Sequence, residues 1–321
     1  MNLYENAISF TASFMVLVLI VLFLRYRGII SKSDAPLIAK LTVDFVLPAL
    51  LISKLIFVKF SFQILVTCSY IVFSEFIIGI ISYIIGHYVL RLPRPSLGVF
   101  ILCCTFGSTA ILGTAFITAI FSGDDATIAY ALMIGEISNG VPGYIFLYII
   151  SKRFGDNNIA GESISSRILN IITSPPVAAI IFGLSWSALN LPTEGFILTP
   201  LVNAANYVGM SLVLMIALLN GLAIAPIPIR KNFWAIIFCL LFALLIKPLI
   251  VFLLDLKFNI SNLDSQISFI ESAMPSANAV IAYAIRYKCD DKLAATLVTT
   301  TAIIGAFSLP ALMLNVSIFY N

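Results

Sequence analysis

The sequence predicts an all-α polytopic membrane protein: ten transmembrane helices in two inverted repeats of five, the fourth helix of each repeat broken near its middle. Three observations lead there. Hydrophobic residues make up 61% of the 321-residue chain and charged residues 10%, with a mean hydropathy of +1.08, whereas soluble domains carry about 25% charge. Apolar stretches long enough to span a bilayer, which takes about 20 residues, recur along the whole chain. An internal similarity also shows at an offset of 166 residues, close to half the length.

The spans fall at 7–24, 35–56, 63–86, 97–121, 125–151, 166–189, 198–222, 232–255, 266–286 and 292–319. The first is expected to be retained, since no cation precedes it and no small-residue cleavage site follows before Arg25 and Arg27. Span two is interrupted by Lys40, Asp44 and Lys54, and the i, i+4 spacing of Lys40 and Asp44 predicts an ion pair along the helix. Span nine is interrupted by Glu271, Pro275 and Asn278. Odd-numbered loops and the span ends bordering them hold 13 of the 18 Lys and Arg residues; even-numbered loops with their bordering span ends, and the termini, hold only Lys54, Lys59 and Lys257. By the positive-inside rule both termini face outward, in a plasma membrane such as the bacterial inner membrane. The domains are then the repeats 1–151 and 166–321, joined by a short cytoplasmic linker at 152–165.

Composition excludes several kinds of chemistry. His87 is the single histidine, so a multi-histidine metal site is ruled out and a Ser-His-Asp triad would depend on that one residue. Cys68, Cys103, Cys104, Cys239 and Cys289 form no C-x-x-C and read as packing residues. No G-x-x-x-x-G-K-[ST] occurs. Neither an enzyme, a cofactor, a metal nor a nucleic-acid partner is expected; the partners are a small organic solute and membrane lipid.

The repeat aligns Asp124-Asp125 with Asp290-Asp291. Upstream of the first pair, span four carries Gly107, Ser108, Thr109, Gly113 and Thr114; upstream of the second, span nine carries Pro275, Ser276 and Asn278. Late prolines follow at Pro142 and Pro310, two residues out of register. Five spans per half is an odd number, so the second half enters from the opposite side. Inverted repeats with one discontinuous helix in each are a transporter architecture, in which unwound backbone offers N–H and C=O groups to a solute at the midplane. Gly and Pro at these positions also fit close packing or a kink.

Further motifs run along nearly the whole chain: Arg25-Tyr26-Arg27-Gly28-Ile29-Ile30-Ser31, Leu47-Pro48-Ala49-Leu50-Leu51, Phe106-Gly107 with Gly113, Lys247-Pro248-Leu249, and Ala273-Met274-Pro275-Ser276-Ala277. Together they resemble the auxin efflux carrier family, which includes plant auxin exporters and bacterial carriers of malate- or malonate-like dicarboxylates. The resemblance implies an architecture like that of bile acid/sodium symporters. Spans 1, 2, 6 and 7 would form a scaffold, and spans 3–5 and 8–10 a mobile unit. Broken spans four and nine would cross at the substrate site, and homodimers are expected. The family often has Asn where this chain has Ser108, and Pro where it has Thr114, so hydroxyls replace part of its usual crossover chemistry.

Ionisable groups at bilayer depth cost about 2.5–3.5 kcal/mol even on lenient scales, so each requires an account. Glu75 and Glu136 lie near the midplane of spans three and five. Either can carry a coupling proton, since burial disfavours the charged carboxylate. Glu136 is the better placed, with Asn139 at i+3 on an α-helical face and a Gly/Pro-loosened sequence after it. Lys247 either attracts an anionic solute or pairs with a glutamate. Glu271, one turn before Pro275, is expected to be solvated near the outer mouth, as gate or as plain surface. Tyr283 and Tyr287 are expected to anchor the cytoplasmic interface. The reading is a secondary active transporter of a small, anionic organic solute, carboxylate or auxin-like, working by alternating access. Two alternatives stay open: a sodium-coupled symporter or cation antiporter of similar fold, and a membrane sensor without flux.

Overall fold

The computed structural model describes residues 3–57, 62–121, 123–155, 169, 173–223, 229–258 and 260–319. The linker beyond residue 155, Lys59 and Arg167 lie outside them. Among the described residues, seven helices are long and apolar enough to cross a membrane: α1 (Leu3–Tyr26), α2 (Lys32–Leu55), α3 (Phe62–Val89), α6 (Asp125–Phe154), α8 (Leu198–Leu222), α9 (Asn232–Phe258) and α12 (Asp291–Phe319). Shorter helices complete the set: α4 (Arg94–Thr105), α5 (Thr114–Ile120), α7 (Pro175–Ala188), α10 (Asn262–Ser272) and α11 (Ala279–Arg286). Predicted spans four and nine fall short of full length because extended backbone divides each of them. The described part of predicted span six begins only at Thr173. Among the described residues there is no strand, only one isolated antiparallel bridge.

Several long helices contain π-turns, and three of these have a common cause. Pro48, Pro142 and Pro248 each sit two residues beyond one, at Thr42–Val46, Glu136–Gly140 and Phe242–Ile246. A proline ring collides with the carbonyl four residues back, here that of Asp44, Ser138 or Leu244. A turn widened by one residue moves that carbonyl aside and lets the helix continue. This overturns the expected Lys40–Asp44 pair. Asp44 sits in the π-turn, both side chains are exposed, and no ion pair joins them.

The chain divides into two compact units that draw on both halves of the sequence. The first contains α1, α2, α5, the start of α6 up to Glu136, α7 and α8. There α2 packs on α7 and α8, and α1 on α5 and the second half of α8. Helix ends are tied by side chains: Asn6 Nδ2 donates to Ile120 O at 2.8 Å, and Arg25 reaches the Leu222 carbonyl at 3.4 Å. The second unit contains α3, α4, the rest of α6, and α9–α12. Its apolar core is built on Phe100, Cys103, Cys104, Cys239, Phe242, Val280 and Leu297. All five cysteines are buried and none is in a disulfide. Tyr287 belongs to that core instead of an interface, 4% exposed and stacked on Tyr283 at 6.0 Å.

Candidate functional site

Within the second unit two helices break at the same place. Helix α4 ends at Thr105 because Phe106 turns extended (φ −98°, ψ 125°). Helix α10 ends at Ser272, and α11 starts only at Ala279. Pro275 in the gap has no N–H and cannot continue a helix. The two gaps lie antiparallel, bridged at Gly107 and Ser276. Ser108 N donates to Pro275 O at 2.7 Å, and Ala277 N to Phe106 O at 2.9 Å. Unpaired backbone at bilayer depth is costly, and each break answers the hydrogen-bonding needs of the other.

Side chains fix this crossover from several directions. Ser276 Oγ donates to Cys103 O at 2.6 Å, and its N–H donates to Thr301 Oγ1 at 3.2 Å. The Cys239 thiol lies 3.7 Å from Ser276 Oγ. Gly107 is dictated by space, since a methyl group there would meet Met274 Cβ at 3.0 Å and Met274 O at 3.1 Å. The same methyl position is 3.5 Å from Lys247 Nζ. Lys247, fully buried, donates to Thr105 O at 3.2 Å. A cation at the carbonyl end of α4 is electrostatically favourable. Glu75 from α3 and Glu271 from α10 also lie within electrostatic range of that ammonium.

The structure therefore brings together Gly107, Ser108, Pro275, Ser276 and Lys247, with Glu75 close by. Thr109 is buried in the same unit. Asn278 is half-buried at the start of α11, where it makes no side-chain capping bond. Asn139 packs beside Gly143, and its Nδ2 has no partner among the described residues. Gly113 and Thr114 are buried in the first unit, as is Glu136, whose Oε1 has no partner among the described residues. The π-turn Glu136–Gly140 changes the helical rotation, so the i+3 spacing to Asn139 no longer assigns them one face. Glu271 is 1% exposed, which overturns its expected place at a solvated mouth.

Sequence reasoning missed Thr301, Cys239 and Asp255. Thr301 carried no signal, because a threonine in an apolar helix ordinarily bonds back to its own turn, as Thr301 Oγ1 also does to Leu297 O at 2.8 Å. Asp255 had one in the serines of span nine: Ser265, Ser268 and Ser272 recur at helical spacing.

Paired broken helices inside an apolar helical body define a membrane transport protein. The chain belongs to the auxin efflux carrier family: the family described as Membrane transport protein matches residues 9–313. It is similar to an uncharacterized transporter, MJ1031, of Methanocaldococcus jannaschii, with 25% identity over 301 residues, 89% of this chain and 92% of that protein.

Proposed function

We propose that this protein is a secondary active transporter of a small organic anion, a carboxylate or auxin-like acid, by alternating access around the crossover. The observation that carries the reading is the Gly107–Ser276 bridge between two broken helices. The N-terminus of α11 opens beside it, and the N–H groups of a helix start favour a negative group. Asn278, uncommitted as a cap, adds an amide donor at that end. Lys247 is engaged by the Thr105 carbonyl and has no exposed surface, so its role is to hold the crossover and not to meet solute. The solute site draws on Gly107, Ser108, Thr109, Pro275, Ser276, Asn278 and Asn139, all of the second unit. In this reading ten spans form two inverted repeats, the termini face outward from a plasma membrane, the protein is a homodimer, and no side chain has a catalytic role.

The test is counterflow in proteoliposomes against dicarboxylates, indole acids and amino acids. Exchange of at least one carboxylate is expected without added sodium. Asn278→Ala should keep expression and thermal stability while weakening affinity by about 1–3 kcal/mol, the cost of leaving a ligand group unpaired. A strict sodium requirement would favour the symporter reading, and binding without exchange would make the protein a sensor.

A further inference from the structure

From Asp264 onward helix α10 is buried almost all round, and one stripe of it is polar. Asp264, Ser265, Ser268, Glu271 and Ser272 are all buried, at spacings that place them along one stripe, while Asn262 and Leu263 at its start are exposed. Asp264 and Glu271 lie seven residues apart, roughly 10 Å along the axis. The stripe runs from the exposed start of α10 to the neighbourhood of Lys247. Asp255 of α9 faces it: one carboxylate oxygen, Oδ2, accepts from Ser268 Oγ at 2.8 Å, while Oδ1 has no partner among the described residues. Ser265 Oγ and Thr67 Oγ1 on α3 are also buried without partners among the described residues. Cys68, next to Thr67, lies within electrostatic range of both Asp264 and Glu271, which sets this part of α3 against the same stripe. Buried hydroxyls and carboxyls with unused hydrogen-bonding capacity are where water enters a protein interior.

Charge makes the demand sharper. Glu75, Asp255, Asp264 and Glu271 are each at most 4% exposed, and Lys247 is the buried cation of this unit among the described residues. Four carboxylates against one ammonium leave an excess of three negative charges, a state that burial opposes strongly. Protonation of the carboxyls removes the excess, because burial disfavours their charged form. We propose that Asp255 is a reversible proton-binding site, reached from the exposed start of α10 through Asp264 and Ser268 and electrostatically continuous with Glu271 and Lys247. The bound proton forms an O–H bond at Oδ1, where no competing partner stands, while Oδ2 keeps the Ser268 bond. Titratable groups within electrostatic range of Asp255 are Asp264 from α10 and Tyr70 from α3; Lys257, two residues on in the same helix, is turned onto the Phe258 ring at 5.7 Å. That this proton couples to solute movement rests on the transporter reading; that it binds does not.

Infrared titration of the purified full-length protein reads the site without any substrate. The wild type should show a protonated-carboxyl C=O band that grows and fades reversibly with bulk pH, and Asp255→Asn should lose one carboxyl's share of it. Ser268→Ala, which removes the donor to Oδ2, should shift the band's frequency without abolishing it. An Asp255→Asn spectrum identical to wild type, or a band indifferent to pH, would overturn the assignment. Loss of the band on adding NaCl but not choline chloride at fixed pH would overturn it in favour of a metal-cation site. Should Asp255→Asn not yield folded protein, an unshifted band in Ser268→Ala sinks the proposal by itself. Failure of the transporter reading looks different: no exchange in vesicles while the band still titrates.

Discussion

The two units solve the problem of polar groups inside an apolar body in opposite ways. In the first, buried polarity is sparse and engaged. Lys54 pairs with Asp125 at 2.5 Å, Ser53 and Thr42 bond to their own helix, and Glu136 Oε1 is the buried side-chain atom without a partner among the described residues. In the second, Thr67, Glu75, Thr105, Asn139, Ser151, Asp255 and Ser265 each carry a buried polar atom with no hydrogen-bond partner among the described residues. Unused hydrogen-bonding capacity costs about 1–3 kcal/mol per group. Capacity of this kind is what solute, protons or water can use, and among the described residues it is concentrated in the second unit.

The lysines should show the contrast most strongly. Lys247→Met leaves Glu75 and Glu271 facing no ammonium and the Thr105 carbonyl without its donor, and removing one partner of a buried charge cluster costs about 3–5 kcal/mol. Little folded protein is expected, with partial recovery in Lys247→Met/Glu75→Gln. Lys54→Met removes a pair whose carboxylate side chain is 72% exposed, so the loss should stay at about 0–1 kcal/mol. Thermal melting of the detergent-solubilised protein checks both. Equal losses would erase the distinction between the units.

Two glycines separate stability from function. A methyl group on Gly107 would strike Met274 at the crossover; one on Gly209, in α8, would strike Leu50 Cβ at 2.8 Å. Overpacking of this kind costs about 1–3 kcal/mol in either place. Gly107→Ala should in addition lose solute exchange per folded molecule, whereas Gly209→Ala should keep it. Vesicle assays normalised to folded protein decide; intact exchange in Gly107→Ala would move the site away from the bridge.

What could be read in advance follows from how local each cause is. Pro275 and Gly107 announce their breaks, because a missing N–H and a missing Cβ are properties of single residues. That the breaks pair with one another, and that Thr301 holds Ser276, depends on helices distant in sequence, so no spacing rule reaches it. The Lys40–Asp44 expectation failed for a local reason that was available: Pro48 requires the π-turn that spoils the i, i+4 register. Glu271 was misplaced because depth was judged by distance from span ends, whereas α10 is buried almost all round from Asp264 onward, which only its packing against other helices determines.

Carboxyls on the two sides of the contrast give the next test. Glu136→Gln should abolish accumulation driven by a pH gradient and leave exchange measurable, while Glu75→Gln, beside Lys247, should chiefly lower stability. Gradient-driven accumulation that survives Glu136→Gln at wild-type rate would leave coupling to the second unit's Asp255.

The smallest expected effect concerns the Asp pairs that align at an offset of 166 residues, one in each unit. Both are helix starts. Asp124 caps α6, accepting from Thr127 N at 3.0 Å and Thr127 Oγ1 at 2.7 Å; Asp290 caps α12, accepting from Leu293 N at 3.0 Å. Such caps contribute about 1 kcal/mol. Asp290 has a further tie, the Ser96 hydroxyl at 2.7 Å from α4, so Asp290→Ala should cost more than Asp124→Ala. The Thr127 hydroxyl, and then its N–H, hold the Asp124 carboxyl below its ordinary range. A carboxyl lowered in the folded state stabilises above its unfolded value, and the contribution fades as pH falls through the folded one. The melting-temperature gap between wild type and Asp124→Ala should therefore be present at neutral pH and shrink on acidification. A gap that widens in acid would mean that the carboxylate is not the capping form.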